Sequence, residues 1–304
     1  MQTFRADAQE SRVNRSFLFV PADSERKLAK ARDSAADALI LDLEDSVASA
    51  ARPQARQIAR EFIADKPQAE LWLRINPLAT ADALADLREV LPAAPAGIVL
   101  PKAGGVDDVL QLAQLLDELE REHGLAAGST AIMPIATETP AAVLRLHGYQ
   151  EAGARLTALT WGAEDLSAVL GASATRDAAG EWLGPYALAR SLCLLAATAA
   201  GAIAVDTVFT DFRDSAGLTR YAGNAQRDGF AAMLAIHPAQ VDIINAAFVP
   251  DAASVARAQR IVALFAANPQ AGTLGMDGEM IDRPHLLQAE KILRQAGQQA
   301  DQHQ

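Results

Sequence analysis

Residues 38–45 read ALILDLED, an apolar run of four residues that leads into three closely spaced carboxylates. A short apolar run of this kind is typical of a strand in a parallel sheet. The carboxylates then lie at the carboxyl end of that strand. The same arrangement, an apolar run followed directly by polar residues, recurs along the chain and predicts an α/β fold.

Eight such runs alternate with longer amphipathic segments, which we interpret as helices. The runs are residues 17–20, 38–41, 71–75, 97–100, 131–135, 159–161, 202–205 and 233–236. Eight βα units within residues 15–248 fit a closed (β/α)8 TIM barrel better than an open doubly wound sheet. No Gly-x-Gly-x-x-Gly motif follows the first run, so a dinucleotide-binding sheet loses its best support.

Beyond the barrel, residues 249–297 are predicted to form a C-terminal helical extension. Residues 252–267 and 285–295 have helical patterns, and a glycine-rich link joins them. We expect this extension to dock on another surface.

Composition limits the class of protein. The chain has 304 residues, 50% of them hydrophobic, and a formal net charge of −11. This charge argues against a non-specific binder of nucleic acid or of an anionic membrane. The single cysteine, Cys193, rules out an internal disulfide and is expected to be a buried apolar residue. The N-terminus has no apolar signal-peptide region and no apolar stretch is long enough to span a bilayer, so we predict a cytoplasmic protein.

Polar residues follow every predicted strand. In a parallel barrel the active site lies at the carboxyl ends of the strands. An acidic residue there often only caps the next helix, but all eight ends are polar, which favours a site at this rim. The main candidates are Asp42, Glu44, Asp45, Arg74, Asn76, Lys102, Glu138, Glu164, Asp165, Asp206, Asp211 and His237.

Two of these carboxylates point to a metal. Glu138 and Asp165 are 27 residues apart, about one βα repeat, so they should project from adjacent strands. Two carboxylates without thiol partners form a hard oxygen site that suits Mg²⁺. The alternative is that one of them only pairs with Arg74 or Lys102. Arg74 projects into the same mouth, where its planar guanidinium can bind a carboxylate or an oxyanion.

Nine stretches, in order from about residue 15 to 296, resemble the citrate lyase β-subunit-like CoA-ester lyases of the HpcH/HpaI aldolase superfamily. They are RSFLFVP (15–21), LDLEDSV (41–47), LRIN (73–76), LPK (100–102), ETP (138–140), GAED (162–165), DTVFTD (206–211), IHP (236–238) and MIDRP (280–284). The first continues into Pro21-Ala22, where relatives commonly have Pro-Gly, and this affects the expected local backbone path.

The resemblance implies a (β/α)8 barrel in a homotrimer, with a C-terminal lid that contacts a neighbouring subunit. It also implies that Glu138 and Asp165 bind Mg²⁺, that Arg74 contacts substrate, and that Asp282 enters from the neighbouring subunit as an acid/base. The CoA contacts that it implies are Phe19, Arg26, Lys30, Ile236 and His237. Charged residues such as Arg26 and Lys30 otherwise belong to a solvated helix face.

The implied reaction is cleavage or formation of a carbon–carbon bond in malyl-, citramalyl- or citryl-CoA, with an oxoacid as the partner. The sequence leaves four alternatives open: a hydroxyacyl-CoA thioesterase, a malate-synthase-like condensation, a class II aldolase acting on free oxoacids, and a subunit of a citrate lyase complex acting on a carrier-bound acyl group. Against the aldolase, the second strand ends in Asp42-Leu43-Glu44-Asp45, where those enzymes use a histidine.

Overall fold

The computed structural model describes residues 14–297, and the chain divides into two compact units at residues 245 and 246. The eight predicted strands are confirmed, and all belong to the first unit. They are β1 (Ser16–Pro21), β2 (Ala38–Asp42), β3 (Glu70–Arg74), β4 (Gly97–Leu100), β5 (Ala131–Pro134), β6 (Ala158–Thr160), β7 (Ile203–Asp206) and β8 (Ala232–Ala235).

Helices connect consecutive strands, as the alternating pattern predicts. They are α1 (Glu25–Arg32), α2 (Arg52–Ala64), α3 (Ala81–Val90), α4 (Val106–Glu122), α5 (Pro140–Leu144), α6 (Ala163–Leu170), α7 (Gly184–Ala200) and α8 (Ser215–Asp228), and α9 (Val241–Ala247) follows the last strand. Two helices, α6 and α7, separate β6 from β7, where the other strand connections carry one.

The strands form a nearly closed parallel barrel. Their order is β5-β4-β3-β2-β1-β8-β7-β6, and neighbours pair in parallel. The edge strands β5 and β6 meet through two isolated parallel bridges, Ile132 with Leu156 and Ile135 with Thr160. The predicted (β/α)8 TIM barrel is therefore confirmed, and the carboxyl ends of its strands form one rim.

Apolar side chains fill the barrel interior. Phe17 and Trp72 pack edge to face with ring centroids 5.8 Å apart, and both are almost fully buried. Gly97 on the next strand makes room for the indole, since a Cβ there would lie 2.3 Å from a Trp72 ring carbon. The interior below the rim is thus a packed core.

The second unit has a small apolar core of its own, formed by residues that include Ile261, Phe265, Ile281 and Leu293. It contains α10 (Ala252–Ala267), β9 (Thr273–Met276), β10 (Glu279–Asp282) and α11 (Arg283–Gln295). The two predicted helices are confirmed, but the glycine-rich link is an antiparallel hairpin. Its turn residues Asp277 and Gly278 both have positive φ, 53° and 83°, as a tight two-residue hairpin turn requires.

Cys193 is fully buried and unpaired, as expected. Among residues 14–297, no helix is long and apolar enough to cross a membrane.

Candidate active site

A cavity of about 330 Å³ lies at the carboxyl rim of the barrel. Its lining combines apolar residues with the acidic side chains of Asp42, Asp45, Glu138, Glu164 and Asp165, and with the guanidinium of Arg74. Strand register explains why Asp42 and Arg74 converge, because Pro21, Asp42 and Arg74 are paired across the ends of β1, β2 and β3. The rim predicted from the sequence is thus a single concave site.

Glu138 is a buried carboxylate of this cavity, with 3% of its surface exposed. The backbone N–H of Lys102 donates a hydrogen bond to it, and the carboxylates of Asp165 and Glu44 lie close enough to repel it. Burial is the main reason that its pKa rises to about 8, and the two neighbouring carboxylates add to the rise. A divalent cation would relieve this concentration of negative charge.

Asp165 lies in the first turn of α6, and its side chain is 39% exposed. Gly162, just before this helix, passes directly over Glu138: a Cβ on Gly162 would lie 3.1 Å from Glu138 Cγ. The hydroxyl of Thr137 accepts a hydrogen bond of 3.1 Å from the Gly162 N–H. The structure thus brings Glu138 and Asp165 together, as their spacing predicts.

The donor set fits Mg²⁺. Both side chains offer oxygen, the atom that this cation prefers. Within residues 14–297, no group of three or more His, Cys, Asp or Glu side chains is arranged to hold a metal ion. A cation bound by Glu138 and Asp165 would therefore take its other ligands from water and substrate, as Mg²⁺ commonly does.

Arg74 is held in one orientation. Its Nε and Nη2 donate parallel hydrogen bonds of 2.6 Å to the two carboxylate oxygens of Asp42. Its Nη1 lies 3.3 Å from Glu44 Oε2, and the guanidinium stands over the Phe19 ring at 4.7 Å. Burial opposes ionisation of Asp42, but the bonds from Arg74 hold the pKa of this carboxyl below its ordinary value. Arg74 faces the cavity as predicted, with much of its donor capacity already used.

Lys102 lies at the rim, where its side chain meets three carboxylates of the site. Its ammonium contacts Glu44, lies 3.4 Å from Asp45 Oδ1, and lies 4.0 Å from Asp165 Oδ1. Its backbone adopts a left-handed conformation with φ of 52°, which is uncommon for a residue other than glycine. This conformation accompanies two contacts with the proposed metal ligands, one from the N–H to Glu138 and one from the ammonium to Asp165. The sequence left open that a ligand carboxylate pairs with Lys102, and the contact between the Lys102 ammonium and Asp165 is such a pair.

Glu44 is also part of the site. It is 3% exposed, and its Oε2 has no hydrogen-bond partner among residues 14–297, although Arg74 and Lys102 provide positive charge nearby. Burial raises its pKa above the ordinary value. The sequence predicted a carboxylate at this position after the second strand. Its pairing with Lys102 depends on the paths of the loops after β2 and β4.

The predicted CoA contacts fall in two places. Phe19 and Ile236 line the cavity, and His237 stacks on Phe212 at the rim with ring centroids 4.8 Å apart. Arg26 and Lys30 are exposed on α1 and do not line the cavity. Their assignment to CoA phosphates stays a prediction.

Asp282 belongs to the second compact unit, where it ends β10 and begins α11. Its Oδ1 lies 2.5 Å from Nδ1 of His285, and the same ring nitrogen lies 3.3 Å from the Asp282 backbone nitrogen. Its side chain is 31% exposed. The residue thus occupies the N-cap position of α11, and its catalytic role stays a prediction.

Comparison with known proteins identifies the family. The family model HpcH/HpaI aldolase/citrate lyase matches residues 15–238. The chain is 36% identical to a citrate lyase subunit beta-like protein of Mycobacterium tuberculosis, with 93% of this chain and 95% of the relative covered. It is 32% identical to a (3S)-malyl-CoA thioesterase of Cereibacter sphaeroides, with 95% and 96% covered.

A solved structure agrees with this assignment. Protein CitE from Mycobacterium tuberculosis, crystallised with magnesium, acetoacetate and coenzyme A, is 34% identical and superposes with a TM-score of 0.75. The match covers 95% of this chain and 100% of that chain. The chain therefore belongs to the HpcH/HpaI aldolase/citrate lyase family of carbon–carbon lyases.

Proposed function

We propose that this protein is a Mg²⁺-dependent lyase that cleaves or forms a carbon–carbon bond in a short hydroxyacyl-CoA such as malyl-, citramalyl- or citryl-CoA. The observation that carries the proposal is that Glu138 and Asp165 line the same cavity at the mouth of the barrel, beside an Arg74 that Asp42 holds in place. Relatives crystallised with magnesium, one with coenzyme A and one with oxaloacetate, support the choice of metal and substrate class.

Glu138 and Asp165 would hold the metal. Bound Mg²⁺ would supply Lewis acidity to the hydroxyl and carboxylate oxygens of the substrate. Glu138 supplies a ligand oriented by the Lys102 N–H, and Asp165 supplies the second from the first turn of α6. Because Glu138 has a raised pKa, it must release a proton before it can act as a ligand at neutral pH.

Arg74 would stabilise negative charge that develops on substrate oxygens when the carbon–carbon bond breaks. A preorganised donor of this kind lowers the activation barrier by about 3 kcal/mol or more. The two hydrogen bonds that Arg74 donates to Asp42 fix the guanidinium before substrate arrives, so little reorganisation is needed. Phe19 and Ile236 would contact the thioester and help to keep water from the reacting carbon.

Asp282 would exchange the proton at the acyl-CoA carbon. We propose that it comes from a neighbouring copy in a homotrimer, with the C-terminal unit acting as a lid over that copy's cavity. Its contact with His285 leaves the carboxyl partly exposed and therefore accessible to a proton donor or acceptor. A cytoplasmic location stays a prediction.

A coupled assay tests the function. Purified protein is incubated with malyl-, citramalyl- or citryl-CoA and Mg²⁺, and the released oxoacid is measured. Release of glyoxylate, pyruvate or oxaloacetate together with an acyl-CoA is the expected result. Absence of any oxoacid from all three thioesters would contradict it.

Thioester hydrolysis is a second candidate, because a 32% identical relative is named (3S)-malyl-CoA thioesterase. The same cavity would then admit water to the thioester carbonyl. The two activities differ in their products: hydrolysis gives free CoA and a hydroxyacid, while the lyase gives an intact acyl-CoA and an oxoacid.

A further inference from the structure

We propose that Asp206 is a positioning residue which acts through Trp161 to hold the segment 161–165 in the place that metal binding requires. The proposal rests on the proposed function, in which Glu138 and Asp165 bind Mg²⁺. It concerns a carboxylate that is buried and takes no part in the lining of the cavity.

Asp206 ends β7 and has no exposed surface. Its carboxylate accepts five hydrogen bonds, a complete set for a buried charge. Oδ1 accepts from the Trp161 indole N–H at 2.7 Å, from the Tyr221 hydroxyl at 2.9 Å and from the Thr207 backbone N–H at 2.9 Å. Oδ2 accepts from Arg190 Nε at 3.0 Å and Nη2 at 2.8 Å. The carboxylate is therefore held in place by Trp161 after β6, by Arg190 of α7 and by Tyr221 of α8.

Trp161 is the residue through which this anchor reaches the site. It directly follows β6 and is fully buried, and its ring packs edge to face against Trp182 with centroids 5.0 Å apart. The hydrogen bond to Asp206 holds the indole to the end of β7. These contacts therefore fix Trp161 relative to both β6 and β7.

The next residues carry this constraint to the metal ligands. Gly162 donates to Thr137 Oγ1 at 3.1 Å, and it passes so close to Glu138 that a side chain there would have to displace the Glu138 stem. Asp165 follows within the first turn of α6. A displaced Trp161 would therefore move Asp165 relative to Glu138, and ligand geometry would change without any change in ligand identity.

The effect is geometric, since the Asp206 charge is compensated by Arg190. Residues that orient metal ligands in this indirect way change metal affinity by about 10- to 100-fold when they are altered. A role confined to packing would lower thermal stability and leave metal affinity alone. Mg²⁺ affinity therefore separates positioning from packing.

The test compares Trp161→Phe with Trp72→Phe in the full chain. Each substitution removes a buried indole and its one hydrogen bond, to Asp206 in the first case and to Glu70 at 2.7 Å in the second. Mg²⁺ affinity is measured by titration calorimetry, with thermal unfolding as a record of stability. We expect the Kd for Mg²⁺ to rise about tenfold or more in Trp161→Phe and to stay within about twofold of wild type in Trp72→Phe. An unchanged Kd in Trp161→Phe, or an equal rise in both variants, would overturn the proposal.

A double-mutant cycle then tests whether Asp206 acts through Trp161. The Kd for Mg²⁺ is measured for Asp206→Asn alone and in the Trp161→Phe background. If Asp206 acts through Trp161, Asp206→Asn should raise the Kd little further once Trp161 has been replaced. Independent, additive effects on Kd would contradict the proposed path. If Asp206→Asn does not fold, the comparison of the two tryptophan variants still decides the role of the Trp161 contact.

Glu138→Gln distinguishes failure of this inference from failure of the proposed metal site. Loss of Mg²⁺ binding in Glu138→Gln with wild-type binding in Trp161→Phe would overturn only the positioning role. Wild-type binding in Glu138→Gln would overturn the metal site itself. Weakened binding in both, with Trp72→Phe unaffected, is the result that we expect.

Discussion

Asp42 binds the Arg74 guanidinium through two parallel hydrogen bonds of 2.6 Å, one from Nε to Oδ1 and one from Nη2 to Oδ2. Both residues end paired strands, and the Asp42 side chain is almost completely buried. A fork of this kind fixes the plane of the guanidinium, which an ammonium could not reproduce. The relationship makes Arg74 an oriented group that faces the cavity.

Arg74→Lys should therefore lower kcat for the thioester substrate by about 100-fold or more, although the positive charge is retained. Lysine cannot donate two parallel bonds to Asp42, so its ammonium would not take the position of the guanidinium. Steady-state kinetics with saturating Mg²⁺ measures the effect. Activity within about twofold of wild type would show that orientation of this cation is unimportant.

Mg²⁺ binding should release a proton near neutral pH. In the metal-free protein, burial raises the pKa of Glu138 to about 8, so at pH 7 this carboxyl is mostly protonated and must ionise to bind the metal. The apparent affinity for Mg²⁺ should rise about tenfold for each pH unit up to about 8 and then level off. Calorimetry in two buffers of different ionisation enthalpy measures the released proton directly. An affinity independent of pH between 6 and 8 would contradict a protonated Glu138.

The position of Asp282 in the assembly is tested by mixing inactive variants. Asp282→Ala and Arg74→Ala subunits should regain part of the activity after exchange, because some sites then combine an intact barrel with an intact Asp282 from another chain. Arg74→Ala mixed with Asp165→Asn is the matched control. Both of its defects lie in the barrel, so every site remains defective. No recovery in the first mixture, despite verified exchange, would place Asp282 in its own subunit's site or outside the mechanism.

Arg26 and Lys30 are predicted to bind CoA phosphates from the exposed face of α1. Arg26→Ala and Lys30→Ala should each raise the KM for the thioester by about fivefold, as expected when an exposed charge pair worth up to about 1 kcal/mol is lost. Lys27→Ala is the control, since Lys27 is exposed on the same helix and has no predicted contact. Equal KM values for all three variants and wild type would place CoA elsewhere.

The strand pattern was sufficient to predict the barrel, because each strand is a short apolar run bounded by polar residues. It also predicted that Glu138, Asp165 and Arg74 share one rim, since parallel strands end at the same face. The Asp42–Arg74 bond was not predicted, because it depends on the register of β2 with β3. The pairing of Lys102 with Glu44 was not predicted for a similar reason, because it depends on the loop path after β4, where Lys102 has a left-handed backbone.

The hairpin of the second unit could have been predicted. Asp277-Gly278 is a sequence signal for a tight two-residue turn, and it lies between the short segments TLGM and EMID. Three glycines close together made the segment look like a flexible link. The contact of Asp282 with His285 follows from the same local geometry, with the aspartate at the helix N-cap and the histidine three residues later.

The central claim is that Glu138 and Asp165 hold the Mg²⁺ that carbon–carbon cleavage requires. The most direct measurement is oxoacid release from malyl-, citramalyl- and citryl-CoA by wild type, Glu138→Gln and Asp165→Asn, each with Mg²⁺ and with EDTA. We predict release by wild type with Mg²⁺ from at least one thioester, and none with EDTA or from either folded variant. Full release in EDTA, or from Glu138→Gln or Asp165→Asn, would contradict the account.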